Sequence, residues 1–130
     1  MNRSLRSRIS LRLINKCIAD RYGIMGIKDG LISKIQNKTL SMGVCGLGYV
    51  GLPLAVDKAK HGFRTIGFDV QQKKVDMVNA GENYIGDVVD ADLRELVSSG
   101  MLRATSDFSF VQDVDFIAIC VPTPLDLHQH

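Results

Sequence analysis

The sequence predicts an α/β protein with a doubly wound parallel sheet, incomplete at about four strands. Three observations carry this reading. Strand-like and helix-like runs alternate from residue 39 onward, a glycine loop Gly46-Leu47-Gly48-Tyr49-Val50-Gly51 joins the first strand to the first helix, and Asp69 ends the next strand. Alternation of this kind demands right-handed crossovers and therefore parallel neighbours.

Thr39 to Cys45 is a short apolar run that stops at the glycine loop, as a buried parallel strand does. Tyr49 to His61 carries Leu52, Leu54, Ala55, Val56 and Ala59 on one broad side, and Gly62 ends it. Pro53 falls in the first turn, where its missing N–H does no harm. Arg64 to Asp69 is the second strand. Gln71 to Ala80 is a helix with Val75 and Val78 turned inward, stopped by Gly81.

A loop through Tyr84-Ile85-Gly86-Asp87 precedes a helix from about Asp90 to Ser99, striped by Leu93, Leu96 and Val97 and ended by Gly100. Met101 to Ala104 is a short strand. A brief helix over Asp107 to Asp113 then leads to Asp115 to Val121, the most strand-like run in the chain, which Pro122 and Pro124 terminate. Before residue 39 the pattern is poorer. Leu11, Leu13, Ile14, Cys17 and Ile18 fit a short helix, Gly23, Gly26 and Gly30 interrupt regular spacing, and the stretch after Asp29 suits a further helical turn. The expected division is a basic extension over 1–38, a binding domain over 39–126 and a tail over 127–130.

A chain of 130 residues that is 45% hydrophobic can bury one core. The net charge of +2 hides an asymmetry, because Arg3, Arg6, Arg8, Arg12, Lys16 and Arg21 precede a mildly acidic remainder. Nothing there gathers a phosphate-tracking surface on the globular part, so a nucleic-acid partner is not expected. No run reaches the roughly 20 apolar residues that cross a bilayer, and no signal-peptide core is present. The acid-poor start has a transit-peptide flavour, with a loose basic extension as the plainer reading. Cys17, Cys45 and Cys120 are odd in number and widely spaced, which points to a reducing compartment, the cytoplasm, and to no structural metal. Cys45 and Cys120 read as buried small hydrophobes without a basic partner, and His61, His128 and His130 are too scattered for a metal site.

The glycine loop has chemical meaning in this setting. Gly46 makes the tight turn, Gly48 lets a pyrophosphate approach the backbone, and Gly51 allows helix and strand to pack closely. Amide groups near Tyr49 and Val50, at the start of a helix, meet phosphate charge with the positive end of the helix dipole. Such a loop alone also occurs by chance and in kinases. Here a strand precedes it, a helix starts in it, and Asp69 follows Gly51 by 18 residues. That context makes it a Rossmann-type dinucleotide site.

Asp69 is placed to accept hydrogen bonds from adenosine ribose hydroxyls and to repel a 2′-phosphate, so NAD is preferred over NADP; turn or helix capping is its plainer role. Lys74 either lies over the adenine end of the cofactor or is merely solvated. Thr123, between two prolines at the carboxyl end of the fourth strand, is either a cofactor contact or part of a rigid turn.

Taken together, Gly46-Leu-Gly-Tyr-Val-Gly-Leu-Pro-Leu-Ala55, Gly67-Phe-Asp-Val70 with Lys74-Val75, and Val121-Pro-Thr-Pro124 resemble the UDP-glucose/GDP-mannose dehydrogenases over residues 34–126. Tyr84-Ile-Gly-Asp87 and Pro-Leu-Asp126 look most like the UDP-N-acetylhexosamine 6-dehydrogenase branch, whose sugars are glucosamine, mannosamine or galactosamine. The resemblance implies oxidation of the C6 alcohol of a UDP-sugar to a uronate, with two NAD reduced, in a homo-oligomer that serves polysaccharide biosynthesis. It places Gly46, Gly48, Tyr49, Val50 and Gly51 on the pyrophosphate, Asp69 and Lys74 on the adenosine side, and Thr123 at the strand end. The family's catalytic cysteine, lysine and asparagine match no position here, so no catalytic residue is expected and the 130-residue chain is expected to be inactive alone. Two other readings stand beside this one: a free-standing nucleotide-binding module completed by a partner, and a different NAD dehydrogenase of the 6-phosphogluconate or hydroxyacid kind.

Overall fold

The computed structural model describes residues 24–122. The expected helix over 11–18, Cys17, Thr123, the tail and its two histidines lie outside them. The chain divides into two compact units, Met1–Asn37 and Lys38–His130.

In the first unit a helix, α1, spans Ile24–Gln36. It runs without a break through Gly26 and Gly30, which the sequence reading took as interruptions. Each glycine costs only about 1 kcal/mol against alanine, too little to end a helix whose other positions favour it. Asn37 closes the helix by donating its N–H to the Ser33 carbonyl at 2.9 Å.

In the second unit, strands and helices alternate as β1 (Met42–Cys45), α2 (Gly51–Lys60), β2 (Thr65–Phe68), α3 (Gln72–Asn79), α4 (Asp90–Ser98), β3 (Leu102–Thr105), a 3-10 helix (Phe108–Asp113) and β4 (Phe116–Ile119). All three strand pairs are parallel and the order is β3-β2-β1-β4. That is the first part of the 3-2-1-4-5-6 order of a doubly wound sheet. Each of α2, α3 and α4 is followed by a glycine at positive φ, Gly62, Gly81 and Gly100, as their spacing predicted.

The main core lies on one face of the sheet, where Leu52, Ala55 and Ala59 of α2, Val75 and Val78 of α3, and Leu93 of α4 close over Val44, Leu102 and Ala104. Each large apolar side chain removed from water there contributes roughly 1.5–3 kcal/mol. On the opposite face Phe68 meets the Phe108 ring of the 3-10 helix at 5.6 Å between centroids. A Cβ at Gly43 would meet Phe68, Val114 and Ile117 side chains on that face at 3.2–3.3 Å, so this layer is thin and close-packed.

β4 stands at one end of the strand order among the described residues, with Phe116 50% and Ile119 74% exposed. The other edge, β3, is managed differently. Asn79, at the end of α3, donates to the Ala104 carbonyl at 2.9 Å and accepts from the Ala104 N–H at 2.8 Å. Its amide thus stands in for one residue of a further strand and covers an otherwise open ladder position.

Asn79→Ala removes both bonds without touching the buried apolar core. Urea unfolding is expected to show a stability loss of about 1–2 kcal/mol with an unchanged slope.

Candidate functional site

β1 runs into the glycine loop with its ladder still intact, because the Gly46 N–H donates to the Phe68 carbonyl at 2.8 Å. The chain then turns back sharply. Gly46 sits at φ +93°, a conformation in which a side chain is strained, and a Cβ there would lie 2.6 Å from the Cys120 carbonyl. At Gly51 the exclusion is stronger, since a Cβ would fall 1.5 Å from the carbonyl oxygen of Gly46. The close packing assigned to Gly51 is therefore backbone against backbone within the loop itself, with the Cys120 side chain next nearest at 3.4 Å.

Gly48 differs from both. No atom lies within 4 Å of a Cβ built on it. The space beside it belongs to a cavity of about 680 Å³ at the carboxyl ends of β1 and β4, walled by the glycine loop, Asp69, Lys74, Tyr84 and Val121. α2 begins here with no side-chain cap at Val50; the Leu52 N–H donates to the Gly48 carbonyl at 3.1 Å and Pro53 has no N–H, so the amides open to a ligand are those of the loop before Leu52. Tyr49 and Val50 are exposed.

Asp69 follows β2 directly and is only 7% exposed. Its Oδ2 accepts the Leu47 N–H at 2.9 Å and its Oδ1 accepts the Gln71 N–H at 2.8 Å. The turn role weighed for this residue is therefore present. A carboxylate has about four acceptor positions, which leaves capacity for two hydroxyl donors on the cavity side.

Leu47 is fully buried, and a Cβ at Gly67 of β2 would strike its side chain at 2.6 Å, so the loop is seated on the sheet by that contact. Its carbonyl accepts the Tyr84 hydroxyl at 2.6 Å. Burial first and the charge of Asp69 second push the Tyr84 phenol up to about 12.

Of the residues singled out from sequence, Gly46, Gly48, Tyr49, Val50, Asp69 and Lys74 share this cavity, with Gly51 immediately behind it. Lys74 is half-buried and lines the wall, whereas its neighbour Lys73 is exposed. Thr123 lies outside the described residues. Sequence reasoning passed over Leu47 and Tyr84 as site members. A tyrosine 37 residues from its partner leaves no spacing signal.

Cys45 and Cys120 are half-buried rather than buried. Cys45 pairs with Ile119 in the sheet register, so Cys120 projects from the opposite face. Burial, followed by the neighbouring Cys120, raises the Cys45 thiol above its ordinary value, away from nucleophilic use. Among the described residues no group of three His, Cys, Asp or Glu could hold a metal ion, and no helix is long and apolar enough to cross a membrane.

A parallel βαβ unit whose glycine loop opens a helix, with a buried carboxylate at the end of the second strand, defines a Rossmann-type dinucleotide-binding domain. The site's residues fit NAD: open space at Gly48, loop amides ahead of Leu52 and a carboxylate with acceptor capacity.

The chain belongs to the UDP-glucose/GDP-mannose dehydrogenase family, whose NAD-binding domain matches residues 40–130. It is 38% identical over 93 residues to UDP-N-acetyl-D-glucosamine 6-dehydrogenase of Pseudomonas aeruginosa, covering 71% of this chain and 21% of that protein. It is 41% identical over 91 residues to NDP-N-acetyl-D-galactosaminuronic acid dehydrogenase of Ralstonia nicotianae, covering 69% and 20% respectively. The crystal structure of GDP-mannose dehydrogenase from Pseudomonas aeruginosa superposes with a TM-score of 0.64 at 34% identity, over 68% of this chain and 21% of that one. The chain thus spans about a fifth of the length of the relatives it matches.

Two outcomes follow from this geometry. Gly48→Ala is expected to unfold at the wild-type temperature, whereas Gly51→Ala is expected to lose several kcal/mol or fail to fold, since its backbone cannot yield the space; thermal melts of both variants decide this. Separately, the raised Tyr84 phenol favours the folded state while neutral. Its contribution is complete below pH 10.0, the ordinary value, and is lost as pH rises toward about 12. Unfolding titrations across that window are expected to show a steeper stability loss for the wild type than for Tyr84→Phe.

Proposed function

We propose that this chain is the cofactor-holding part of an NAD-dependent nucleotide-sugar 6-dehydrogenase, with Gly46, Gly48, Tyr49, Val50 and Gly51 on the pyrophosphate, Asp69 and Lys74 on the adenosine, and Thr123 at the strand end. The observation that carries the reading is the pairing of open space at Gly48 with the buried Asp69 carboxylate in one cavity. Bound NAD supplies a hydride acceptor. The protein's part is to hold it. Amides at the start of α2 meet the diphosphate charge, and Asp69 takes the two ribose hydroxyls with the acceptor positions that Leu47 and Gln71 leave open.

The same carboxylate sets the choice of cofactor. A 2′-phosphate would bring negative charge against the buried Asp69, whose two oxygens are already held by backbone amides. Lys74, reaching the cavity from α3, balances part of the charge on the adenosine side.

For the substrate we propose the C6 alcohol of a UDP-N-acetylhexosamine, oxidised to a uronate with two NAD reduced, in a homo-oligomer serving polysaccharide biosynthesis. Relatives that act on N-acetylated glucosamine, mannosamine and galactosamine derivatives support this choice. Residues 39–126 form the binding domain in this reading. The free thiols of Cys45 and Cys120 support a reducing compartment, the cytoplasm. Burial keeps the Cys45 thiol from nucleophilic use, and in this reading the 130-residue chain holds cofactor without oxidising a nucleotide sugar.

Calorimetric titration tests the site. The wild type is expected to bind NAD at least about tenfold more tightly than NADP, and Asp69→Asn, which keeps the side chain's shape, is expected to narrow that gap. Equal affinity of the wild type for the two cofactors would overturn the role given to Asp69. In the same titration Gly48→Ala is expected to weaken NAD by at least about tenfold while keeping its fold.

A further inference from the structure

The segment between α3 and α4 is held rigid by one side chain. Asn83 accepts the Ile85 N–H on its Oδ1 at 2.9 Å and donates from Nδ2 to the Val88 carbonyl at 2.6 Å and to Asp90 Oδ1 at 2.9 Å. Ile85 and Val88 are buried in the main core at 5% exposure each. Tyr84, between Asn83 and Ile85, is therefore carried by a segment that cannot swing away without uprooting two core residues.

From that anchored position the Tyr84 hydroxyl reaches the Leu47 carbonyl at 2.6 Å, while the Leu47 N–H is held by Asp69 at 2.9 Å. A peptide unit is planar, so a bond to the N–H fixes the plane before Leu47 and a bond to the carbonyl fixes the plane after it. The second plane also contains the N–H of Gly48, pointing opposite to the carbonyl. Holding the Leu47 oxygen therefore sets the direction of the first amide of the cofactor loop. A half-buried tyrosine could leave its hydroxyl in water, and this one does not.

We propose that Tyr84 is a positioning residue for the cofactor loop: its hydroxyl locks the peptide plane between Leu47 and Gly48, so that the 83–89 segment is a built part of the NAD site. The proposal rests on the NAD reading of the cavity. Loop amides that are already oriented bind a diphosphate without the cost of ordering them at the moment of binding. Asp69 and Tyr84 divide this work, one acting on each side of Leu47.

Tyr84→Phe in the full chain keeps the ring and deletes the single bond. Backbone relaxation is expected to show order parameters at Gly48, Tyr49 and Val50 falling from the rigid range near about 0.85 toward about 0.6, with β1 and β2 unchanged. NAD is expected to bind about tenfold more weakly, and adenosine, which has no diphosphate, to keep its affinity. Wild-type order parameters and wild-type NAD affinity in Tyr84→Phe would overturn the proposal, as would a loss of order that extends equally into β1 and β2. If the wild type bound no NAD while the variant's loop still loosened alone, the NAD reading would fall and the positioning of the loop by Tyr84 would stand.

Discussion

Everything at the site depends on the contact between the backbone of Gly51 and the carbonyl of Gly46. A side-chain carbon at residue 51 would lie 1.5 Å from that oxygen. Because two backbones touch there, α2 starts directly above the end of β1, and the loop from Gly48 to Val50 borders the cavity between β1 and β4. Any larger residue would lift the helix away from the sheet. The buried stripe of Leu52, Ala55 and Ala59 would then lose its seat over Val44 and Leu102, so binding geometry and core packing share one steric constraint.

Asp69 shows how a fold can use one group for two purposes. A carboxylate with 7% exposure needs partners, and two backbone amides supply them, one from the loop and one from the turn into α3. Those bonds hold the carboxylate in place before a ligand arrives. The acceptor positions that remain are then rigid ones. Structural service and ligand recognition are not competing explanations for this residue, since the first is what makes the second selective.

The two sheet edges are treated unequally. Asn79 covers β3 by mimicking a strand residue, whereas β4 leaves Phe116 and Ile119 exposed. The apolar run from Asp115 to Val121 marks β4 as a strand in the sequence itself. α1 differs from its sequence appearance for a local reason. Gly26 and Gly30 lower local helix propensity by a small amount, and summed preference over the whole segment outweighs two such positions.

By itself the sequence determined the alternation of strands and helices, the glycines that end α2, α3 and α4, the loop from Gly46 to Gly51 and the importance of Asp69. These are local facts: periodicity, turn chemistry and a fixed spacing along the chain carry them. Only the tertiary structure decided that Gly48 borders open space while Gly51 meets a carbonyl, that Lys74 lines the cavity, and that Tyr84 bonds to the loop from 37 residues away. Such facts depend on which distant segments the sheet brings together, and no spacing along a single chain encodes a contact made by folding.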